Sequence, residues 1–211
     1  IALAALLGLA TLPVASAAAR ASEHPLYGGS MQAALRDLTL LPPAESPYDF
    51  PITPVNPRTI PARYRRQLVN YEGGEMPGTI IVDPTQRFLF YVLGDGTAIR
   101  YGVGVGRAGF AWSGEAEIRM KRRWPRWLPP EEMTVRDVHA AEWVNGMPGG
   151  PENPLGARAL YLFANGQDTL YRIHGTNDPS SIGKAMSSGC IRMLNEDVAD
   201  LFDRVQIGTH V

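Results

Sequence analysis

Cysteine is almost absent from this chain: Cys190 is the only one in 211 residues, and there are four histidines. A lone thiol excludes an internal disulfide. No lipid anchor is expected either, since that needs a cysteine at a leader's cleavage site. In an oxidising compartment such a residue is either a buried inert cysteine or a reactive thiol. An excess of one charge is missing too. The 20 Lys and Arg against 21 Asp and Glu leave a net charge of −1, so electrostatics makes no case for nucleic acid or an anionic membrane as partner. Paired ligand spacings such as H-x-x-x-H or C-x-x-C do not occur around His139, His174 and Cys190, so no metal and no cofactor is expected. His24 and His210 lie near the chain ends and look incidental.

Long hydrophobic runs are scarce, with one exception. Residues 1–19, IALAALLGLATLPVASAAA, read as the apolar part of a secretory leader, with Ala15-Ser16-Ala17 or Ala17-Ala18-Ala19 as the cleavage motif. Without an initiator Met or a basic start, the leader is expected to be N-terminally incomplete. The competing reading is an uncleaved anchor, but the run is barely long enough to span a bilayer. The chain is therefore expected to be exported, with no stable membrane insertion after cleavage.

Residues 20–75 read as an arm or linker. Prolines at 42, 43, 47, 51, 54, 57 and 61 favour an extended, partly polyproline-like path, with one short helix around Met31–Leu38. From residue 76 onward the pattern becomes β. The runs TIIVD (79–83), RFLFYVL (87–93) and TAIRYGVGV (97–105) are rich in branched and aromatic residues and are separated by Asp83-Pro84 and Gly94-Asp95-Gly96. EAEIRMK (115–121) alternates, with Ala116, Ile118 and Met120 on one face. After a Pro- and Gly-rich loop from Trp124 to Gly156, RALYLF and TLYRIH flank Asn165-Gly166, a hairpin turn pair that places His174 at a strand end. Asp178-Pro179 predicts a short helix through Met186. Asn195 predicts the cap of another, with Val198, Leu201, Phe202 and Val205 on its apolar face. The sum is a mostly β domain with one or two short helices.

The chemistry concentrates in HGTNDPSSIGKAMSSGCIRM (174–193). A thiol attacks as thiolate, and at an ordinary pKa of about 8.5 little is present at neutral pH. A neighbouring histidine corrects this by taking the proton or pairing with the sulfur. Small residues before the thiol, Ser187-Ser188-Gly189, admit a substrate carbonyl. They leave the Gly189 and Cys190 amides to face a developing oxyanion, a contact whose removal elsewhere costs about 10² to 10³ in rate. Arg192 offers a fork for a carboxylate. Against this stands the plainer reading of a buried small hydrophobe and a satisfied strand-end histidine.

The same stretch, extended to IHGTNDPSSIGKAMSSGCIRMLNEDVADLF, resembles the signature of the L,D-transpeptidase catalytic domain, the YkuD (ErfK/YbiS/YcfS/YnhG) family. In that signature a His is followed by Ser/Thr-His-Gly-Cys, a hydrophobe and Arg or Asn. His174, Ser187, Gly189, Cys190 and Arg192 match, and Ser188 stands where the family has His. PGTIIVD, AIRYGVGVGRAGFAWSGEAEI, WPRWLPPEEM and NPLGARALYL extend the resemblance over residues 76–211. It implies a β-sandwich of mixed sheets and a periplasmic or cell-wall enzyme that acts on peptidoglycan stem peptides. Cys190 would be the nucleophile and His174, oriented by a backbone carbonyl, the general base and acid. Gly189 would be an oxyanion donor, and Arg192, Ser187, Ser188 and Gly175 would bind substrate. The acceptor would be a second stem, an envelope protein or water. The hydrolytic alternative is an L,D-carboxypeptidase or endopeptidase, and a non-catalytic peptidoglycan-binding module is the third class.

Two motifs point elsewhere and are set aside. Gly104-Val105-Gly106-Arg107-Ala108-Gly109 fits G-x-G-x-x-G, but a strand-like segment follows where a dinucleotide site needs a helix. RMKRRWPRW (119–127) mixes basic and aromatic residues as single-strand binders do, against the near-neutral charge of the chain.

Overall fold

The computed structural model describes residues 49–107, 113–187 and 189–211. The leader, the first part of the arm, the Met31–Leu38 helix and Ser188 lie outside the described residues. Among those described, no helix is long and apolar enough to cross a membrane.

Proline keeps the backbone of residues 49–66 extended or in single turns (Pro57–Thr59 and Ala62–Tyr64), but the residues between the prolines pack. Ile60 and Tyr64 are buried with Phe88, Ile182 and Leu194. Phe50 meets the Trp124 ring edge-on at 5.4 Å, and its carbonyl accepts the indole N–H at 3.1 Å. An arm expected to be unpacked is thus docked over this length, because its few large apolar residues are spaced to reach the domain.

The arm leads into strand β1 (Gln67–Asn70), followed by β2 (Ile80–Asp83), β3 (Phe88–Val92) and β4 (Thr97–Gly102). These form one antiparallel sheet in the order β1-β4-β3-β2. The run expected as one strand over 97–105 divides, and its end is a separate short strand, β5 (Val105–Gly106). Then come β6 (Glu117–Arg123), β7 (Arg158–Ala164) and β8 (Gln167–His174), and finally β9 (Ala185–Ser187) and β10 (Ile191–Arg192). The second sheet is mixed, in the order β10-β8-β7-β6, with β10 parallel to β8; β5 and β9 pair in parallel. The β7–β8 hairpin turns at Asn165-Gly166, both at positive φ (52° and 77°), as the dipeptide predicts.

Helices differ from expectation. Between Trp124 and Gly156 the chain forms two short ones, α1 (Glu131–Arg136) and α2 (Val138–Glu142). The helix expected over 178–186 is one turn, Pro179–Ser181, held by Asp178 Oδ1 accepting the Ser180 N–H at 3.0 Å. It stops there because the Gly183 N–H bonds to the Val103 carbonyl and residues 185–187 are drawn into pairing with β5. The last helix is α3 (Asn195–Arg204), whose apolar face carries Val198, Leu201 and Phe202 as expected.

One core fills the space between the sheets and α3. Ile80, Leu89 and Tyr101 come from the first sheet; Ile118, Leu160, Leu162, Tyr171 and Ile173 from the second; Val198 and Leu201 from the helix. Tyr171 and Ile173 of β8 and Ile191 of β10 point into it. By strand alternation, Arg172 and His174, with Cys190 and Arg192, take the opposite face. The alternation read for 115–121 holds at Ala116 and Ile118 and then slips at a bulge before Met120. Lys121 is turned toward the end of α3, where its ammonium donates to the carbonyls of Phe202 and Val205 (2.6 Å for the latter). The basic stretch is otherwise engaged within the fold: Arg119 with Glu117 and Arg123 with Asp49, while Trp124 is buried.

Candidate active site

Strand β10 is only two residues long, and its register sets the site. Ile191 lies beside Ile173 and Arg192 beside His174, so the residue entering β10, Cys190, sits next to the last turn of the β8 path. Two segments 16 residues apart in sequence thereby place a thiol and an imidazole on the same face of one sheet.

His174 is 4 % exposed. Its Nδ1 lies 2.7 Å from the Gly175 carbonyl. A carbonyl can only accept, so Nδ1 donates to Gly175, and the Leu155 carbonyl bonds the ring as well. Burial, and next the charge of Arg192, push the imidazole down to about 3 from its ordinary 6.5, which makes it a neutral base at physiological pH. Gly175, expected among substrate-binding residues, is buried and acts here as the orienting carbonyl, and its own N–H donates to the Arg158 carbonyl at 3.0 Å.

Gly175 is itself held by Asn195. The Asn195 side chain accepts from the amides of Ala157 (2.9 Å) and Thr176 (3.2 Å) and donates to the Thr176 carbonyl (2.9 Å). A Cβ on either Gly156 or Gly175 would fall 2.2 Å from Asn195 Oδ1, so only glycine permits this clasp. The sequence predicts Asn195 as a helix cap. Instead Leu194 holds that position without a side-chain bond, and Asn195 is the first helical residue with its amide turned back to the histidine loop. The cue in the sequence, an Asn followed by Glu and Asp before an apolar stripe, fits a cap equally well.

Cys190 is partly exposed as a residue and its sulfur is enclosed. Its hydroxyl-bearing neighbour Ser187 closes the turn: Ser187 Oγ donates to the Cys190 carbonyl at 2.7 Å and accepts from the Gly189 amide at 3.2 Å. Ser187 is therefore buried in the turn rather than facing a substrate, and the Gly189 N–H, expected as an oxyanion donor, is engaged at rest. Gly189 has φ of 123°, a conformation that needs glycine and sets the angle at which the thiol emerges.

Burial raises the thiol's pKa. The charge of Arg172, a bond from the Arg172 amide and the charge of Arg192 act the other way. The recorded hydrogen bond of the sulfur goes to the Leu170 carbonyl at 3.9 Å, not to His174. Burial pushes the thiol up and the imidazole down, so both rest neutral and no resting thiolate–imidazolium pair is held here. Arg192 is half-buried on the same face, its guanidinium lowering both pKa values. On the core side of the nucleophile turn an apolar cavity of about 260 Å³ is lined by Val82, Val105, Gly189 and Ile191. His139 stands exposed on α2, and among the described residues no three metal-binding side chains converge.

Comparison with known proteins gives a consistent family. The L,D-transpeptidase catalytic domain matches residues 77–211. The chain is 36% identical over 139 residues to a probable L,D-transpeptidase, YbiS, of Escherichia coli K12, covering 64% of this chain and 43% of that one. Against the probable L,D-transpeptidase ErfK/SrfK of Salmonella typhimurium it is 33% identical, with the same coverage. The chain thus spans less than half the length of these relatives. A crystal structure from Brucella melitensis, described as a probable carnitine operon oxidoreductase, is 52% identical with a TM-score of 0.51, covering 74% of this chain and 97% of that one.

Proposed function

The chain belongs to the L,D-transpeptidase catalytic-domain family, and from that premise we propose that it is a cell-envelope cysteine acyltransferase acting on peptidoglycan tetrapeptide stems. The observation that supports the reading is the register of β10 on β8, which brings Cys190, the residue entering β10, and His174, whose Nδ1 donates to the Gly175 carbonyl, to one face of the sheet. His174 takes the thiol proton as the sulfur attacks the carbonyl of the third stem residue. The oxyanion forms at the Cys190 amide, joined by the Gly189 amide once its long bond to Ser187 opens. The protonated imidazole then returns its proton to the departing D-Ala amine, leaving a thioester. An amine of a second stem, or of an envelope protein, attacks the thioester, gives its proton to His174 and completes a 3→3 cross-link or a protein attachment. Arg192, positively charged beside this centre, binds a substrate carboxylate.

The envelope assignment rests on the leader-like residues 1–19 and on the family. An oxidoreductase reading meets a physical obstacle. Three amides of the glycine-rich segment that a pyrophosphate would draw on are occupied: Gly104 N–H by the Arg192 carbonyl, Val105 N–H by Lys184 and Arg107 N–H by Ser187. The next described element after them is the strand β6.

The test is mass spectrometry of disaccharide-tetrapeptide incubated with the full chain and with Cys190→Ala. A dimer lacking one D-Ala, absent with the variant, supports the transpeptidase. Tripeptide alone makes the protein a carboxypeptidase, and no product with either protein counts against both. Covalent acylation of Cys190 by a carbapenem is expected independently; an unchanged intact mass with the thiol shown to be reduced would count against Cys190 as nucleophile.

A further inference from the structure

Strand β8 is irregular where it passes the sulfur. Its register with β7 moves from Asp168 beside Phe163 to Arg172 beside Tyr161, four residues against two. Within this bulge Leu170 sits at φ of 63°, a left-handed conformation that is costly for a bulky residue. The surroundings explain why it holds. Asp168 Oδ1 accepts the Leu170 N–H at 2.8 Å, and the two carboxylate oxygens fork the Arg172 guanidinium at 2.6 and 2.7 Å. The guanidinium in turn stacks on the Tyr161 ring at 4.2 Å. Both charged side chains are nearly buried, at 12% and 6% exposure. A buried pair of this kind is weak evidence for stability, since desolvation offsets most of the attraction. Its consequence lies in what it aims: the Leu170 carbonyl accepts the Cys190 S–H, and the Arg172 amide donates to the same sulfur.

We propose that the Asp168–Arg172 pair is a positioning device for the nucleophile: it fixes a bulge whose Leu170 carbonyl holds the resting thiol and whose Arg172 end faces the sulfur once it is thiolate. The proposal rests on the reading of Cys190 as nucleophile, but not on the substrate. Bulges beside active sites commonly re-aim a group in this way. The two members act on the thiolate with opposite sign, Arg172 favouring it and Asp168 opposing it. The other ionisable groups whose charge couples to the sulfur are Tyr171 of β8 and Arg192 of β10, and they are common to every variant below.

The opposite signs make the test. The full chain, with its thiol reduced, is alkylated with iodoacetamide over the neutral-to-alkaline range, and the pH midpoint of the rate is read. Midpoint is preferable to rate, because a more basic thiolate is also a better nucleophile. Arg172→Gln is expected to move the midpoint up, each unit being a tenfold loss of thiolate at neutral pH. Asp168→Asn, which keeps an oxygen for the Leu170 amide, is expected to move it down. Arg172→Lys should stay near the parent. Both substitutions moving the midpoint the same way, or neither moving it, would overturn the proposal and leave the pair a structural tie. If Arg172→Gln does not fold, Asp168→Asn alone decides, since a raised or unmoved midpoint there is incompatible with the proposal. The expected shifts in a protein that yields no cross-linked product would reject the proposed substrate and leave this inference standing.

Discussion

This domain holds two clusters of charged side chains, and they are built differently. On the flank where residues 49–66 cross α3, Asp200 accepts a bidentate pair of bonds from Arg204 (2.9 and 3.0 Å) and the Tyr101 hydroxyl (2.6 Å), and Arg66 approaches it at 3.1 Å. Burial alone would raise the Asp200 carboxyl, but the bonds from Arg204 and Tyr101 and the charge of Arg66 more than offset it and hold the carboxyl at about 2. Asp197 is the weakly paired member: burial pushes it up to about 7 even with Arg66 at 3.6 Å. On the face of β8 and β10, Arg172 is matched by Asp168, while Arg192 adds positive charge beside a neutral thiol and a neutral imidazole. The first cluster closes on itself and staples. The second keeps a surplus of positive charge at a sulfur and is arranged for an anion that forms during reaction.

The largest expected effect breaks the second cluster at its centre. Cys190→Ala should remove all detectable turnover, on the order of 10⁶ for a nucleophile acting within a unit, while leaving the melting temperature nearly unchanged. His174→Gln should cost about 10² to 10⁴ in turnover. Single-turnover product analysis checks both; residual cross-linking by the cysteine variant would remove Cys190 from the mechanism.

Next comes the clasp that separates the histidine's position from its chemistry. Asn195→Ala leaves the Ala157 and Thr176 amides and the Thr176 carbonyl without their partner. A partly buried loss of this kind should cost about 2 to 3 kcal/mol, and turnover should fall because Gly175 no longer fixes the imidazole. Asn195→Asp, which keeps the acceptor, should lose less of each. Denaturant midpoints and kcat for the pair decide; equal losses in the two variants would mean that the clasp does not work through its acceptor oxygen.

What the sequence made legible follows from how local each cause is. Asn165-Gly166 dictates a hairpin through its own backbone preferences, so the strand ending at His174 could be read directly. Branched and aromatic runs gave the strands, and the signature pointed to Cys190 and His174. The clasp and the bulge were not legible, because they depend on groups distant in sequence. Asn195 reads as a cap until Gly156 and Gly175 are seen against its oxygen. The bulge left one faint trace: with Tyr171 and Ile173 facing the core, Leu170 falls on the polar side with Arg172 and His174. The unbroken helix read after Asp178 failed for the same reason, since the pairing of Ala185–Ser187 with β5 overrides local preference.

Acid titration should sharpen the contrast between the clusters. A His whose folded pKa is near 3, against an ordinary 6.5, binds fewer protons folded than unfolded between those values, so its contribution to stability falls as pH drops through that window. Asp197 has the opposite sign. With a folded pKa raised from 3.8 to about 7, it binds more protons folded than unfolded, and stability is lost as pH rises between those values. The two slopes oppose each other between about 3.8 and 6.5, so over that window the melting temperature should tilt downward with rising pH in His174→Gln, where Asp197 acts alone, and upward in Asp197→Asn, where His174 does. Identical profiles for the two variants would mean that neither group carries the linkage assigned to it.

The smallest effect is expected at Arg66. Its side chain is 41% exposed, so the attraction it contributes to Asp197 and Asp200 is screened by water, and Arg66→Ala should cost no more than about 1 kcal/mol. Asp197, already raised, takes up a proton more readily when the arginine is gone, which limits the loss further. Asp200 keeps Arg204 and Tyr101. The apolar anchors Ile60 and Tyr64 remain, so residues 49–66 should stay docked, with only a modest rise in amide exchange around the substituted position. Turnover should not change, since the bonds of Asp200 run to Arg66, Arg204 and Tyr101 within the seam. A clear fall in kcat with unaltered stability would show that the two clusters are coupled through α3, whose first residue is Asn195, and the division of labour between staple and site would have to be given up.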